Sequence, residues 1–167
     1  QVIIETFDDV FGPKLTQEIH TQMSGMSWKY GWVSDRTTAN TQKYWHVHIA
    51  NDYDSATDII KEMWDHLTTK VLKKFDVQHF YRCYANAHTY GCHGQTHCDD
   101  GDFTMIYYPN RDWKPEWYGG TQVWNDEQTE IIHTSNYKPG RLFVFDAHLP
   151  HNQQEVSRLC QELRYVI

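Results

Sequence analysis

Apolar positions change their spacing about halfway along this 167-residue chain. In the first half they recur at helical intervals. Phe11, Leu15, Ile19 and Met23 stand four apart and form one stripe, which predicts a helix over 9–23. Pro13 suits its first turn, and Gly25 lies just past its end. Ser55, with Asp58 three positions on, is the expected cap of a second helix. Ile59, Ile60, Met63, Trp64, Leu67, Val71 and Phe75 supply its buried face, and Lys70, Lys73 and Lys74 favour its C-terminal end. Between the two helices, 28–32 alternates as a strand does. The stretch 34–54 is polar and irregular apart from 44–49.

After Asp76 the pattern shortens to strand-length runs, predicted at 77–84, 103–108, 120–124, 130–134, 141–145 and 164–167. Pro109-Asn110, Gly119-Gly120, Asn125-Asp126 and Pro139-Gly140 separate them as turns. Two helices followed by a run of strands read as α+β, mainly β, with a sandwich or barrel backed by helices. The length suits one domain, with helical support over about 8–76 and a β core over about 77–167.

Charge and cysteine content narrow the function classes. The net charge of −7 disfavours binding to nucleic acid, whose affinity comes from clustered Lys and Arg. Four irregularly spaced cysteines do not make a disulfide framework, so reduced thiols and a cytoplasmic location are expected. No apolar run approaches the roughly 18 residues of a membrane span, and residues 1–6 carry no features of a signal peptide.

The chemistry concentrates at His97-Cys98-Asp99. In an extended segment residues i and i+2 point the same way, so His97 and Asp99 present an imidazole and a carboxylate from one side. A third ligand must come from a distant strand. His151 in Leu149-Pro150-His151 is the preferred candidate, with His148 as its competitor. Two imidazoles and one carboxylate hold non-haem Fe(II) on one face and leave the other positions open. Cys92, His93, His97 and Cys98 could instead form a zinc cluster, but no second hook exists elsewhere in the chain. His46 and His48 lack an acidic partner and read as a half-exposed strand. His88, Cys92 and His93 read as a polar loop near the mouth of the site. Trp113 and Trp117 are candidates for substrate stacking or for loop anchoring.

The order of these features resembles the Fe(II)/2-oxoglutarate-dependent dioxygenases, and among them the prolyl 4-hydroxylase-like group. The matching segments are His97-Cys-Asp99, Thr104-Met-Ile-Tyr-Tyr108-Pro-Asn110, Asp112-Trp113, Gly119-Gly120-Thr-Gln-Val-Trp124, Pro139-Gly140-Arg-Leu-Phe-Val-Phe-Asp146, Leu149-Pro150-His151 and Arg164-Tyr-Val-Ile167. The resemblance implies a double-stranded β-helix, or jelly roll, with N-terminal helices packed on one sheet. It also implies that His97, Asp99 and His151 are iron ligands and that Arg164 and Tyr108 hold the far carboxylate of 2-oxoglutarate. Tyr84 and Asn86 are carried over as lining of the cofactor pocket. The interval from His151 to Arg164 is longer than the group's, which brings in Arg158 as an alternative anchor.

The implied activity is hydroxylation of an unactivated C–H bond with Fe(II), 2-oxoglutarate and O2, releasing succinate and CO2, with ascorbate as a candidate reductant. A prolyl residue of a peptide or protein is the expected target. Alternatives are a free amino acid, another small molecule, a nucleobase, or a jelly-roll domain that binds without turnover. The segments 34–54 and 113–118 are candidate lids.

Overall fold

The computed structural model describes residues 2–37 and 42–167. Part of the polar stretch considered as a lid, 38–41, therefore lies outside the described residues. The chain forms β1 (Ile4–Phe7), α1 (Pro13–Ser24), β2 (Lys29–Trp32), β3 (Tyr44–Ala50) and α2 (Asp58–His66), with α2 prolonged by a π turn (Leu67–Val71) and a 3-10 turn (Lys73–Phe75). It continues through β4 (Cys83–His88), β5 (Phe103–Tyr107), β6 (Thr121–Trp124), β7 (Ile131–Ser135), β8 (Leu142–Asp146), β9 (His151–Gln153) and β10 (Arg164–Val166).

Two antiparallel sheets make a jelly roll. The larger contains β1-β8-β5 and β10-β4-β3-β2. Reciprocal backbone bonds between Tyr107 and Ile167, 2.9 and 3.1 Å, join these halves through β5 and the end of β10. The smaller sheet is β7-β6-β9, and His97 extends it by bridging to His151.

β8 explains how the layers are held. Leu142, Phe143, Val144 and Phe145 are all buried, so this strand is covered on both faces and reads as a continuous apolar run. Leu142 and Val144 join the core formed with Leu15, Ile19 and Met23 of α1 and Ile60 and Met63 of α2. Phe143 and Phe145 point the other way and pack with Val123 and Leu149 between the sheets. The helices thus cover the outer face of the large sheet, and the inner face is free to build a site.

Several predicted boundaries move. α1 begins at Pro13, because Asp9 has a positive φ of 50° and Gly12 is extended before the proline. Thr57 takes the N-cap position of α2 without a side-chain cap bond, while Ser55 is drawn into a turn by a 2.8 Å bond from its N–H to Asp52 Oδ1. The strand predicted at 77–84 lies at Cys83–His88. Val77 and Phe80 pack on the helical core without joining a ladder, and the alternation in β4 is of small against polar residues. Ala85 and Ala87 are fully buried, whereas Tyr84, Asn86 and His88 line a cleft, a pattern hydropathy does not register. β1 and the polar β9 were not expected from the apolar pattern.

Phe143→Ala should destabilise the fold by about 3–5 kcal/mol through loss of burial and cavity formation. A urea melt should show a lower midpoint with an unchanged slope.

Candidate active site

His97 and His151 face each other across an antiparallel bridge, each accepting the other's backbone N–H at 2.9 Å. Such a directly opposed pair projects both side chains from one face of the ladder, and the two rings are 4.4 Å apart. Asp99, two residues on, is tied by its N–H to the carbonyl of Ala147 at 2.9 Å. Its carboxylate lies 3.1 Å from His151 Nε2 and 3.7 Å from His97 Nε2. The three ligand atoms lie within 4.8 Å of one another, and no other group of three potential metal ligands occurs among the described residues.

The donor chemistry fits a divalent transition metal. Each Nδ1 is held at 2.9 Å by a backbone carbonyl two residues earlier, Gln95 for His97 and Leu149 for His151. A carbonyl only accepts, so each Nδ1 carries a proton, and Nε2 is the nitrogen through which either ring would bind a metal. Burial lowers the pKa of His97, and its proximity to His151 lowers it further, which favours the neutral ring that ligation needs. Burial pushes the Asp99 carboxyl up, but His151 and the Thr104 hydroxyl, 2.7 Å away, outweigh it and hold the group at about 2. The carboxylate is therefore ionised. Two imidazoles and one carboxylate on one side are the ligand set of non-haem Fe(II).

His148 is exposed on the turn before β9 and does not enter this cluster. Cys92 is buried and Cys98 exposed, and neither joins a metal-binding group.

Arg164 opens β10 and is 1% exposed. Its Nε donates to the Gly119 carbonyl, its Nη2 to the Gly120 carbonyl at 3.5 Å and its Nη1 to His88 Nδ1 at 3.1 Å. The guanidinium lies over the Tyr137 ring, 5.5 Å from its centroid. Among the described residues no carboxylate pairs with it. Arg158, by contrast, is exposed and lies outside the cleft that Arg164 lines.

The surroundings of Arg164 explain several motif residues. Gly119 has a φ of 76°, and a Cβ there would stand 3.2 Å from Arg164 Cδ. Glycine thus permits both the turn and the close approach of the guanidinium. Asn110 accepts from the Tyr165 N–H at 2.9 Å and donates to the Leu163 carbonyl at 2.8 Å, gripping the backbone on both sides of Arg164. The Tyr137 hydroxyl reaches Asn110 Oδ1 at 2.6 Å. Trp113 packs on Tyr137 at 4.3 Å and donates to the Tyr118 carbonyl, which makes the 113–118 loop an anchored segment beside the arginine.

These groups meet at a cleft of about 990 Å³, whose wall includes the metal-site residues, Arg164, Tyr84, Asn86 and His88. Tyr108 is fully buried and not part of the wall. Its hydroxyl is 2.8 Å from Thr121 Oγ1, and Thr121 does line the cleft. Asn86 is oriented by a 2.7 Å bond to His46 Nδ1, and His46 stacks on Trp32 at 4.1 Å. Segment 32–36 also contributes to the wall, whereas Trp113 and Trp117 do not. His88 is the residue the sequence reading misplaced. It lies on β4, 3% exposed, opposite Arg164 in the ladder. Its place in the alternating series Tyr84, Asn86, His88 is the signal that points to it.

Residues 79–167 match the model of the 2OG-Fe(II) oxygenase superfamily. No curated protein sequence matches the chain. Among solved structures, similarity extends to a Pseudomonas putida prolyl-4-hydroxylase, with 15% identity and a TM-score of 0.69 over 98% of this chain and 89% of that one. A Trichoplax adhaerens prolyl hydroxylase, in complex with a hypoxia inducible factor oxygen degradation domain peptide fragment, has the same identity and TM-score, 15% and 0.69, over 98% and 80% of the two chains. A Burkholderia pseudomallei oxidoreductase of the 2OG-Fe(II) oxygenase family reaches a TM-score of 0.72 at 14% identity, over 99% of this chain and 82% of that one. At these identities the likeness is one of fold. No helix of the described residues is long and apolar enough to cross a membrane.

Burial, and secondarily the Arg164 charge, hold His88 well below 6.5. The unfolded chain therefore takes up a proton that the folded one refuses, and stability should be complete above about pH 6.5 and fall as pH drops below it, by up to about 1.4 kcal/mol per unit from this group. Urea melts at descending pH should show a smaller loss in His88→Gln than in the unaltered protein.

Proposed function

The chain belongs to the 2OG-Fe(II) oxygenase superfamily, and from that premise we propose that it hydroxylates a prolyl residue of a peptide or protein. It is an oxygenase that uses Fe(II), 2-oxoglutarate and O2. The observation that carries the fuller reading is one cleft holding the His97-Asp99-His151 cluster and a buried arginine that pairs with no carboxylate among the described residues. His97, Asp99 and His151 would hold the iron. When bound, Fe(II) would supply the centre at which O2 is the oxidant and 2-oxoglutarate the two-electron co-reductant, one oxygen atom going to succinate, the other to the substrate C–H bond, with release of CO2.

The chain's own residues bind, orient and exclude water. Arg164 is the anchor for the far carboxylate of 2-oxoglutarate. A guanidinium offers five N–H donors, and three are engaged with Gly119, Gly120 and His88. The two that remain suit a carboxylate. Tyr108 supports this end of the cleft through Thr121, and Asn86 and Tyr84 line the wall of the co-substrate pocket. The apolar layer of Phe143, Phe145 and Val123 closes the interior between the sheets against water, which limits side reactions of a strong oxidant.

A peptide substrate is supported by the prolyl hydroxylase folds to which the chain is similar, one of them bound to a peptide fragment. Segment 32–36 belongs to the wall of the same cleft as the metal-site residues, where side chains of a peptide could be met.

His97→Ala and Asp99→Ala should each abolish stoichiometric Fe(II) binding and hydroxylation while leaving the circular dichroism spectrum intact. Mass spectrometry of proline-containing peptides incubated with Fe(II) and 2-oxoglutarate should show gain of one oxygen atom, mapped to proline. Oxygen gain confined to free amino acids or nucleosides would overturn the peptide assignment.

A further inference from the structure

Arg164 is held from one side by backbone and from another by an imidazole. The backbone carbonyls of Gly119 and Gly120 are ordinary partners for a buried guanidinium. The imidazole is not, because histidine can repel a cation as readily as accept from it. Arg164 Nη1 lies 3.1 Å from His88 Nδ1. A guanidinium has donors only, so His88 Nδ1 must be bare and its proton must sit on Nε2. Burial and the neighbouring positive charge both hold the ring neutral.

The placement of the ring is built in at several levels. His88 and Arg164 are direct partners in the β4–β10 ladder, so their side chains leave the sheet side by side. The Tyr44 ring lies 4.6 Å from the His88 ring, and the Tyr44 hydroxyl is itself held by Ser34 at 3.0 Å. Asn86, two residues earlier and on the same face, has its own clamp in His46. The one side-chain hydrogen bond of His88 among the described residues is at Nδ1, and the residue belongs to the cleft wall, which leaves Nε2–H for a ligand there. This nitrogen is not one of the fully buried unpartnered atoms, so it is available to an acceptor in the cleft.

We propose that His88 is a positioning residue for the co-substrate carboxylate: its bare Nδ1 aligns the Arg164 guanidinium, and its Nε2–H is a further donor on the same wall of the cleft. The inference rests on Arg164 being the anchor of 2-oxoglutarate. It adds that the anchor is a two-residue device whose neutral member sets the angle of the charged one. The sequence ordinarily reads a histidine here as polar filler. The ladder makes it the lateral stop against which the guanidinium rests.

The test separates the far carboxylate from the metal-chelating end. The probes are 2-oxoglutarate and 2-oxobutanoate, which share the 2-oxo acid group and differ in the distal carboxylate. Each is titrated anaerobically into the Fe(II)-loaded protein, with the visible charge-transfer band as the readout. His88→Leu should weaken 2-oxoglutarate on the order of 10- to 100-fold, the loss typical of hydrogen bonds to a charged group. Its affinity for 2-oxobutanoate should be unchanged. His88→Gln, which keeps an acceptor and a donor, should recover most of the loss. Equal losses for both probes, or none for 2-oxoglutarate, would overturn the proposal.

A measurement without substitution guards against a variant that does not fold. Histidine 15N spectra of the Zn(II)-loaded protein should show His88 with the proton on Nε2, shifting on addition of 2-oxoglutarate and not of 2-oxobutanoate. A proton on Nδ1, or no response to 2-oxoglutarate, counts against it. Arg164→Met distinguishes the two levels. If it leaves 2-oxoglutarate affinity intact, the anchor assignment itself fails. If it abolishes the preference for 2-oxoglutarate over 2-oxobutanoate while His88→Leu does not, only the positioning role fails.

Discussion

A buried guanidinium that pairs with no carboxylate among the described residues is the constraint around which one end of this molecule is arranged. Removing such a charge from water costs several kcal/mol unless dipoles replace the lost hydration. Here the replacement comes from two backbone carbonyls, one neutral imidazole and one aromatic face. Each demands something of the chain. The carbonyls require Gly119 in a left-handed turn with no Cβ against the arginine. The aromatic face requires Tyr137, packed between Tyr108 and Trp113. The backbone of β10 must be held in place, and Asn110 does this by gripping residues on both sides of Arg164. Residues scattered over half the sequence thus serve one charge.

The metal end is organised by a different force. Backbone pairing brings His97 and His151 opposite each other, and the bonds that make them neighbours are the bonds of the sheet itself. The side chains then need only the correct tautomer, and each backbone carbonyl two residues upstream supplies it. A ligand set placed on a ladder is held more rigidly than one placed on loops. The two ends differ in the chemistry they offer. At the metal end the ligand atoms of His97, Asp99 and His151 converge, and at the arginine end a guanidinium has no carboxylate partner among the described residues. A molecule chelating metal at one end and carrying a carboxylate at the other complements both.

Helices and strands differ in how far they could be read in the sequence. The stripe of Leu15, Ile19 and Met23 and the long apolar face ending at Phe75 were legible, because amphipathic helices repeat their signal over several turns. β8 was legible as an apolar run, because both its faces are covered. β4 was displaced in the reading, because its inner face carries Tyr84, Asn86 and His88 for the cleft and its outer face carries alanines. β9 was missed for a related reason: its residues are His, Asn and Gln, recruited for metal and hydrogen bonding. The elements least visible to hydropathy are the ones that build the site, since function there has displaced apolar residues.

The ordered motifs of the sequence were sufficient for the fold class, for the His97-Cys98-Asp99 hook and for the family resemblance, because each of these depends on local spacing or on the order of segments. Other choices were left to the tertiary structure. His148 and His151 are three residues apart and chemically identical, and only the turn before β9 leaves one exposed and brings the other onto the ladder opposite His97. Arg158 and Arg164 are likewise equivalent on paper, and only the β4–β10 pairing buries the second against His88. Identity of the side chain is local information. Whether it faces water, a metal position or another chain segment is decided by strands far apart in sequence that must share backbone hydrogen bonds.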